Sequence, residues 1–376
     1  MEDLLYQTHV RVNLAHIRAN LEAIRSRVGR SRKILAVLKA NAYGHGAVGI
    51  ARMAEEEGVD WLGVATVPEG LQLRQAGIRL PILKLYPTFP GEMAVAVAAG
   101  ITQNLCDRAN AEAMEEACAA SGRAEVPVHM TIDTGMGRIG VRPRDAPELA
   151  LFLERRCPHL RLQGIATHLP VSDDPDFGFT RNQVRSFKAA VAEAESAIGR
   201  RVELVHCANS GAVLAHPEAW LDMVRPGILL YGFYPNTGTP RTIPLLPALS
   251  FHTVVSFVKR LPAGTRIGYG LMWAAPQDTW IATLPVGFAD GFDRRFFRRG
   301  RVLVGGRSYP VVGRICMDQI MVDLGPETTV RVGDPVVLIG RSGQEEITLD
   351  EWAKTLETIT YEAMCQIHAR VERVYC

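Results

Sequence analysis

Short apolar runs rich in β-branched residues recur through the first part of the chain, at 34–38, 61–66, 81–85, 101–105, 127–132, 162–168, 202–207 and 222–225. Runs this short, bounded by polar or turn residues, read as buried strands. Between most of them apolar and Ala residues fall at helical spacing, as at 47–57, 109–121, 147–155 and 180–198. The alternation of strand and helix predicts a parallel sheet covered by helices. Eight such units over roughly 220 residues match a (β/α)8 barrel in size. A doubly wound open sheet is the alternative, and it would use fewer strands.

The texture changes after about position 240. Residues 243–247 read Ile-Pro-Leu-Leu-Pro, and strand-like runs follow at 281–286, 301–304, 309–312, 320–324 and 335–339. Gly305-Gly306 between two of these runs reads as a hairpin turn. One helix is expected over about 349–367. The expected class is α/β: a barrel over 12–240, then a mainly β domain over 241–376, which residues 1–11 join. No solenoid repeat or low-complexity tail interrupts the pattern.

The chain has 376 residues, enough for two domains. Lys plus Arg number 42 and Asp plus Glu 40, which excludes the basic excess of a dedicated nucleic-acid binder. No apolar run is long enough to span a membrane. Residues 1–11 carry Glu2, Asp3 and Arg11 and lack an apolar core, so they do not read as a signal peptide. Seven cysteines without a CxxC pair argue against a disulfide framework or a zinc cluster and fit a reducing cytoplasm. No metal site is expected.

In a (β/α)8 barrel the active site lies at the C-terminal ends of the strands. The first strand runs into Lys39, Asn41, Tyr43 and His45, the fifth into Asp133 and Arg138, and the sixth into His168. The seventh runs into His206, Asn209 and Ser210, and the eighth into Arg225, Gly227 and Ile228. Any one of these could simply be a polar residue capping a strand; together they converge on one face. Lys39 follows five apolar residues, and a lysine in such surroundings can act as the neutral amine that forms a Schiff base. Position alone favours a lysine reaching to the rim over that role. Asn209-Ser210-Gly211 and Gly227-Ile228 stand where barrels often cradle a phosphate. A phosphate site beside such a lysine suggests pyridoxal 5'-phosphate. In the second domain, Gly268-Tyr269-Gly270, Phe288-Ala-Asp290-Gly291 and the stretch from Gly313 to Asp318 stand out, although Tyr269 alone reads as a turn residue and Met317 as core.

These residues closely resemble alanine racemases, pyridoxal-phosphate enzymes built as a barrel plus a β domain. AVLKANAYGHG at 36–46 resembles that family's cofactor-lysine signature. DTGMGRIG (133–140), GIATHL (164–169), HCANSGA (206–212), MVRPGILLYG (223–232), IGYG (267–270), LPVGFADG (284–291) and VVGRICMDQ (311–319) match in the family's order. The resemblance implies that Lys39 holds the cofactor and then acts as one base, with Tyr269 from a partner subunit as the opposing base. Tyr43, Asn209, Ser210, Gly227 and Ile228 are implied around the cofactor and its phosphate. His168 is implied near the cofactor, and Arg225 at the pyridine nitrogen. Arg138 and the backbone N–H of Met317 are implied at the substrate carboxylate, and Asp173, Arg294 and Arg314 along the access channel. A homodimer supplying D-alanine to peptidoglycan is the implied setting. Two bases suit racemisation, because a proton must leave one face of Cα and return on the other. A tyrosine serving as a base at neutral pH needs cationic or hydrogen-bonding neighbours, and His168 beside Arg225 would provide them.

Three positions depart from the family. Thr131 stands where a carbamylated lysine is common, so Arg138 must be oriented otherwise, a bound anion being one means. Phe288 replaces a frequent Tyr, and Ala369 a Tyr found in some members. HLPVSDD at 168–174 resembles the serine-racemising branch, so a serine/alanine or broader amino-acid racemase is the alternative. A barrel-type amino-acid decarboxylase would place a Glu where Arg225 stands. A non-catalytic pyridoxal-phosphate carrier would lack the second domain. A barrel without chemistry would have no use for both Lys39 and Tyr269.

Overall fold

The computed structural model describes residues 4–123 and 125–376; part of the expectation for residues 1–11 falls on 1–3, outside the described residues. The chain divides into two compact units, one of residues 16–42 and 46–247, the other of the described residues up to Ala15, 43–45 and 248–376.

The first unit holds eight parallel strands, paired in the order Leu204–His206, Leu160–Ala166, Val126–Thr131, Ile101–Leu105, Ile82–Lys84, Trp61–Val64, Lys33–Val37, Met223–Val224. The outermost two are also joined: Asp222 N–H donates to Val205 O at 3.1 Å, and Arg225 N–H to Ala208 O at 2.8 Å. The sheet thus closes on itself as a (β/α)8 barrel, and all eight predicted strands are present. Helices cover it, among them Ala47–Glu56, Arg108–Ser121, Ala146–Arg156 and Gly178–Ile198. The strands read as near-continuous apolar runs because parallel strands are covered on both faces. Leu35, Leu62, Ile82, Met130 and Ile165 are fully enclosed.

The second unit is built on a ten-stranded sheet in which His9–Val12 pairs both with Leu249–Val254, antiparallel, and with Glu372–Tyr375, parallel. Gly305 and Gly306, both at positive φ (56° and 77°), turn the hairpin between Arg301–Val304 and Arg307–Val312 as expected. Phe251, Phe292, Phe296 and Trp352 pack as an aromatic core, with the Phe292 and Trp352 rings edge-on at 5.4 Å. The single helix expected over 349–367 is two, Leu349–Thr355 and Thr360–Cys365. The break falls at Glu357, which takes φ 56°, ahead of the β-branched run Thr358-Ile359-Thr360. Among the described residues no helix is long and apolar enough to cross a membrane.

Candidate active site

Lys39 stands two residues beyond the first barrel strand, Lys33–Val37, and is half-buried, as a lysine reaching to the rim would be. The backbone turns out of the strand here. Ala40, Asn41, Ala42 and Tyr43 all adopt left-handed helical angles, with φ of 52–54°. Such a turn costs L-residues about 1–2 kcal/mol each, so something must hold it. Part of the restraint is local: Ala42 N–H bonds Leu38 O at 2.7 Å, Gly46 N–H bonds Asn41 O at 2.9 Å, and the Asn41 side chain accepts from Ala47 N–H at 2.8 Å. Another part is Glu69. One carboxylate oxygen accepts from Ala40 N–H at 2.7 Å, and the other from Ala65 and Thr66 N–H at 2.7 and 3.1 Å. Glu69 therefore ties the turn after the first strand to the loop after the second. It caps the helix Val67–Gln75 at the same time, through a capping box with Thr66.

Lys39 Nζ donates to the Tyr86 hydroxyl at 3.2 Å, and the Arg138 guanidinium lies 5.1 Å from the centre of the Tyr86 ring. Neither Tyr86 nor Glu69 was singled out from the sequence. Tyr86 lies two residues past the strand Ile82–Lys84, so the search of strand ends that found Lys39 would have reached it had the third strand been followed.

Arg225 is buried at the end of the eighth strand. Its Nη1 donates to His206 Nδ1 at 2.9 Å, and its Nη2 to Thr167 O at 2.8 Å and Cys207 O at 3.3 Å. Nη2 also stands 3.4 Å from His168 Nδ1. A guanidinium only donates, so His206 must accept at Nδ1 and carry its proton on Nε2. That proton is donated to His129 Nδ1 at 2.9 Å. His129 then carries its own proton on Nε2, which has no acceptor among the described residues and belongs to a ring packed against Trp61 at 5.4 Å. Space for the His129 ring depends on Gly164 in the neighbouring strand, where a Cβ would come within 2.6 Å of the imidazole. The result is a buried relay, Arg225–His206–His129, with every tautomer set by one fixed cation.

Burial lowers Arg225 to about 10, so it remains charged at neutral pH. Burial first, and then Arg225, lower His206 well below the usual histidine value, and burial with Arg225 and Arg161 takes His129 down to about 3. His168 is also lowered to about 3, by burial and then by the charges of Arg225, Arg138 and Lys39. Three cations thus converge on one neutral imidazole. These histidines are neutral when folded and titrate near 6.5 when unfolded. Their folded values are the lower ones, so the stability they contribute is complete above 6.5 and is lost as the pH falls toward 3. His129 alone should cost about 1.4 kcal/mol per pH unit within that window. Thermal melts at pH 7.5 and 4.5 should show the midpoint falling steeply with acid; a flat profile would contradict the assigned charge states.

Ser210 begins the short helix Ser210–Ala215, which Asn209 caps. Asn209 Oδ1 accepts from Ala212 N–H at 3.1 Å and Ser172 Oγ at 2.6 Å, while its amide donates to Leu169 O at 2.8 Å. Its side chain is therefore engaged in holding this loop against residues 169–172. Gly227 N–H donates to Ser210 Oγ at 3.0 Å, which places a hydroxyl and a backbone donor side by side on the loops after the seventh and eighth strands. Ile228 is fully buried behind them. Asp173 accepts from the Asn236 amide at 2.7 Å. Tyr43 is buried, with its ring 6.0 Å from that of Tyr361.

In the second unit, Tyr269 is the turn residue its sequence suggests: 71% of its surface is exposed, and its flanking Gly268 and Gly270 both take positive φ. A side chain at Gly268 would be strained and would crowd Met321 and the Arg314 backbone. Met317 is exposed as well, where the sequence alone favoured the core. Its carbonyl accepts from Ala289 N–H at 3.0 Å, on the turn Phe288–Asp290. Asp290 beneath that turn is buried and pairs with Arg370 at 2.7 Å, so it serves the local frame. Arg294 and Arg314 both line one cavity of about 260 Å³.

Residues 12–235 match the family model described as "Alanine racemase, N-terminal domain", and 248–375 that described as "Alanine racemase, C-terminal domain". An alanine racemase of Cutibacterium acnes is 46% identical over 98% of this chain and 97% of its own length. One from Symbiobacterium thermophilum is 45% identical over 93% and 92%. Among solved structures, an alanine racemase of Clostridium difficile 630 superposes with a TM-score of 0.94 at 36% identity, covering 100% of this chain and 97% of that one. A Bacillus anthracis alanine racemase with bound L-Ala-P gives 0.92 at 35%, covering 99% and 96%. Sequence, domain order and fold agree: the chain belongs to the alanine racemase family of isomerases.

Proposed function

We propose that this chain interconverts L- and D-alanine with pyridoxal 5'-phosphate and two bases, as a cytoplasmic homodimer supplying D-alanine for peptidoglycan. In this reading the barrel domain spans 12–240 and the β domain 241–376 with 1–11. The observation that carries it is the convergence of Lys39, Arg138 and Arg225 on His168 at the C-terminal mouth of the barrel. The donor set fits the cofactor. Lys39 offers an amine for its aldehyde, and the Ser210 hydroxyl and Gly227 N–H, beside Ile228, offer a phosphate cradle. Asn209 fixes that loop, and Tyr43 stands at the end of the turn that begins at Lys39. When bound, the cofactor supplies a conjugated system that draws electrons from the substrate's Cα.

The chain's residues supply the rest. Lys39 and Tyr269, the latter from the partner subunit, hold and move a proton on opposite faces of Cα. Arg138, with the backbone of Met317, holds the carboxylate. Arg225 keeps its own proton at neutral pH, so toward the ring of a bound cofactor it would donate a hydrogen bond rather than a proton. That would limit how strongly the ring draws electrons. A decarboxylase, which gains from a protonated ring, would want an acid there. His168 orients between Arg225 and the tyrosine base, and Asp173, Arg294 and Arg314 line the approach.

The test is incubation of the purified protein and pyridoxal phosphate with L-Ala, L-Ser, L-Lys and L-Arg, followed by chiral chromatography. D-Alanine should form fastest, and only with cofactor. Preferential D-serine would favour the serine-racemising reading that 168–174 suggests. Bound cofactor with no D-amino acid from any substrate would leave the decarboxylase or the carrier.

A further inference from the structure

We propose that Tyr86 is the positioning residue that seats Arg138 for the substrate carboxylate, doing here through its ring what an anionic partner at position 131 would otherwise do. The inference rests on the reading of Arg138 and Lys39 given above. Arg138 has a carboxylate to hold, so a protein carboxylate beside it would compete with the substrate. An aromatic face orients a guanidinium without that competition. Tyr86 offers such a face 5.1 Å from the Arg138 guanidinium carbon, and its hydroxyl accepts from Lys39 Nζ at 3.2 Å. One half-buried side chain therefore joins the amine and the carboxylate-binding cation.

The segment that carries Tyr86 is held from three sides. Lys84, buried at the end of its strand, donates to Tyr86 O at 3.2 Å and Pro87 O at 2.8 Å. Those carbonyls, rather than a carboxylate, receive its ammonium protons. Thr131 Oγ1 donates to Asn104 Oδ1 at 2.8 Å, and the Asn104 amide donates to Leu85 O at 3.0 Å. Thr88 bonds Gln103 within the barrel, and its carbonyl accepts from Asn110 Nδ2. Thr131 thus does not reach toward Arg138 with a charge. It braces, through Asn104, the residue next to Tyr86. A threonine at 131 and a tyrosine at 86 form one arrangement in which the cation is oriented by a ring rather than by a charge.

The experiment separates ring from hydroxyl in the cofactor-loaded enzyme. Tyr86→Phe keeps the ring and should leave KM for alanine within about two-fold while lowering kcat, since only the hydroxyl facing Lys39 is lost. Tyr86→Leu removes the ring and should raise KM about 3- to 30-fold, the range of a partly desolvated cation–π contact. Binding of propionate, a carboxylate without the amine, followed by tryptophan fluorescence, should weaken by a similar factor in Tyr86→Leu and not in Tyr86→Phe. Melting curves establish that both variants fold, and Tyr86→Trp, which retains an aromatic face, should bind propionate if the Leu variant does not fold. The proposal is overturned by unchanged KM and propionate binding in Tyr86→Leu, or, if that variant does not fold, by lost propionate binding in Tyr86→Trp despite its aromatic face. It is equally overturned if Phe and Leu weaken propionate binding alike. Lys39→Ala, run alongside, distinguishes the two failures. If Lys39→Ala racemises normally, the functional reading itself has failed.

Discussion

Lys39→Ala should lower racemisation by at least about 10³-fold while the protein remains folded. A base in the transition state is worth roughly 10²–10⁴-fold, and Lys39 also anchors the cofactor, so its loss combines two effects. Little stability is at stake. The side chain is half-buried, and its ammonium donates to the Tyr86 hydroxyl. The strained turn that follows is held by backbone contacts and by Glu69, not by the lysine amine. The midpoint of melting should therefore move by no more than a few degrees. Tyr269→Phe should lose about 10²–10⁴-fold in inversion. With one base left, one enantiomer should still exchange its Cα hydrogen with D₂O, a washout visible by NMR. Mixing the two inactive variants tests the shared site directly. Random reassortment of a two-fold dimer gives hybrids with one intact site and one lacking both bases, so about a quarter of wild-type activity should return. No recovery after verified subunit exchange would place Lys39 and Tyr269 on the same chain's site.

The barrel was legible because parallel strands buried on both faces leave uninterrupted apolar runs, and all eight are in the structure. The polar residues at their C-terminal ends followed from the same geometry, which is why Lys39, Arg138, His168, Ser210 and Arg225 could be found together. What escaped was held by contacts between elements distant in sequence. Ala40, Asn41, Ala42 and Tyr43 carry no signal for a left-handed turn; the turn exists because Glu69, some thirty residues on, receives its first N–H. His129 sits inside an apolar strand, and its role emerges only when the seventh strand brings His206 to 2.9 Å. The strand Leu249–Val254 alternates buried and half-buried residues and Glu372–Tyr375 buries none, so neither presents an apolar run; both pair with His9–Val12, which lies between them. Met317 misled for the opposite reason. Its apolar side chain reads as core, yet it is exposed on the unit that carries it.

Arg225→Leu should be the most destabilising of the site substitutions. The change fills much of the same volume and deletes the donors. His206 Nδ1, Thr167 O and Cys207 O would each lose a partner where water has little access. Unpaired buried groups cost about 1–3 kcal/mol each, and breaking a buried charged network about 3–5 kcal/mol. At roughly 2–4 °C per kcal/mol for a large domain, the melting midpoint at pH 7.5 should fall by about 10 °C. Arg225→Lys should not restore it. An ammonium is a single point of charge and cannot donate in the plane to His206 on one side and Thr167 on the other, as the two guanidinium nitrogens do. The acid response gives the more specific check. Arg225 is the second cause, after burial, of the low values of His206, His129 and His168. Without it their folded values rise toward 6.5, the gap to the unfolded state narrows, and less stability is lost on acidification. The variant should therefore start lower at pH 7.5 and fall less between 7.5 and 4.5 than the parent. Parallel melting profiles for the two proteins would mean that Arg225 fixes the geometry of this relay without setting the charge state of its histidines.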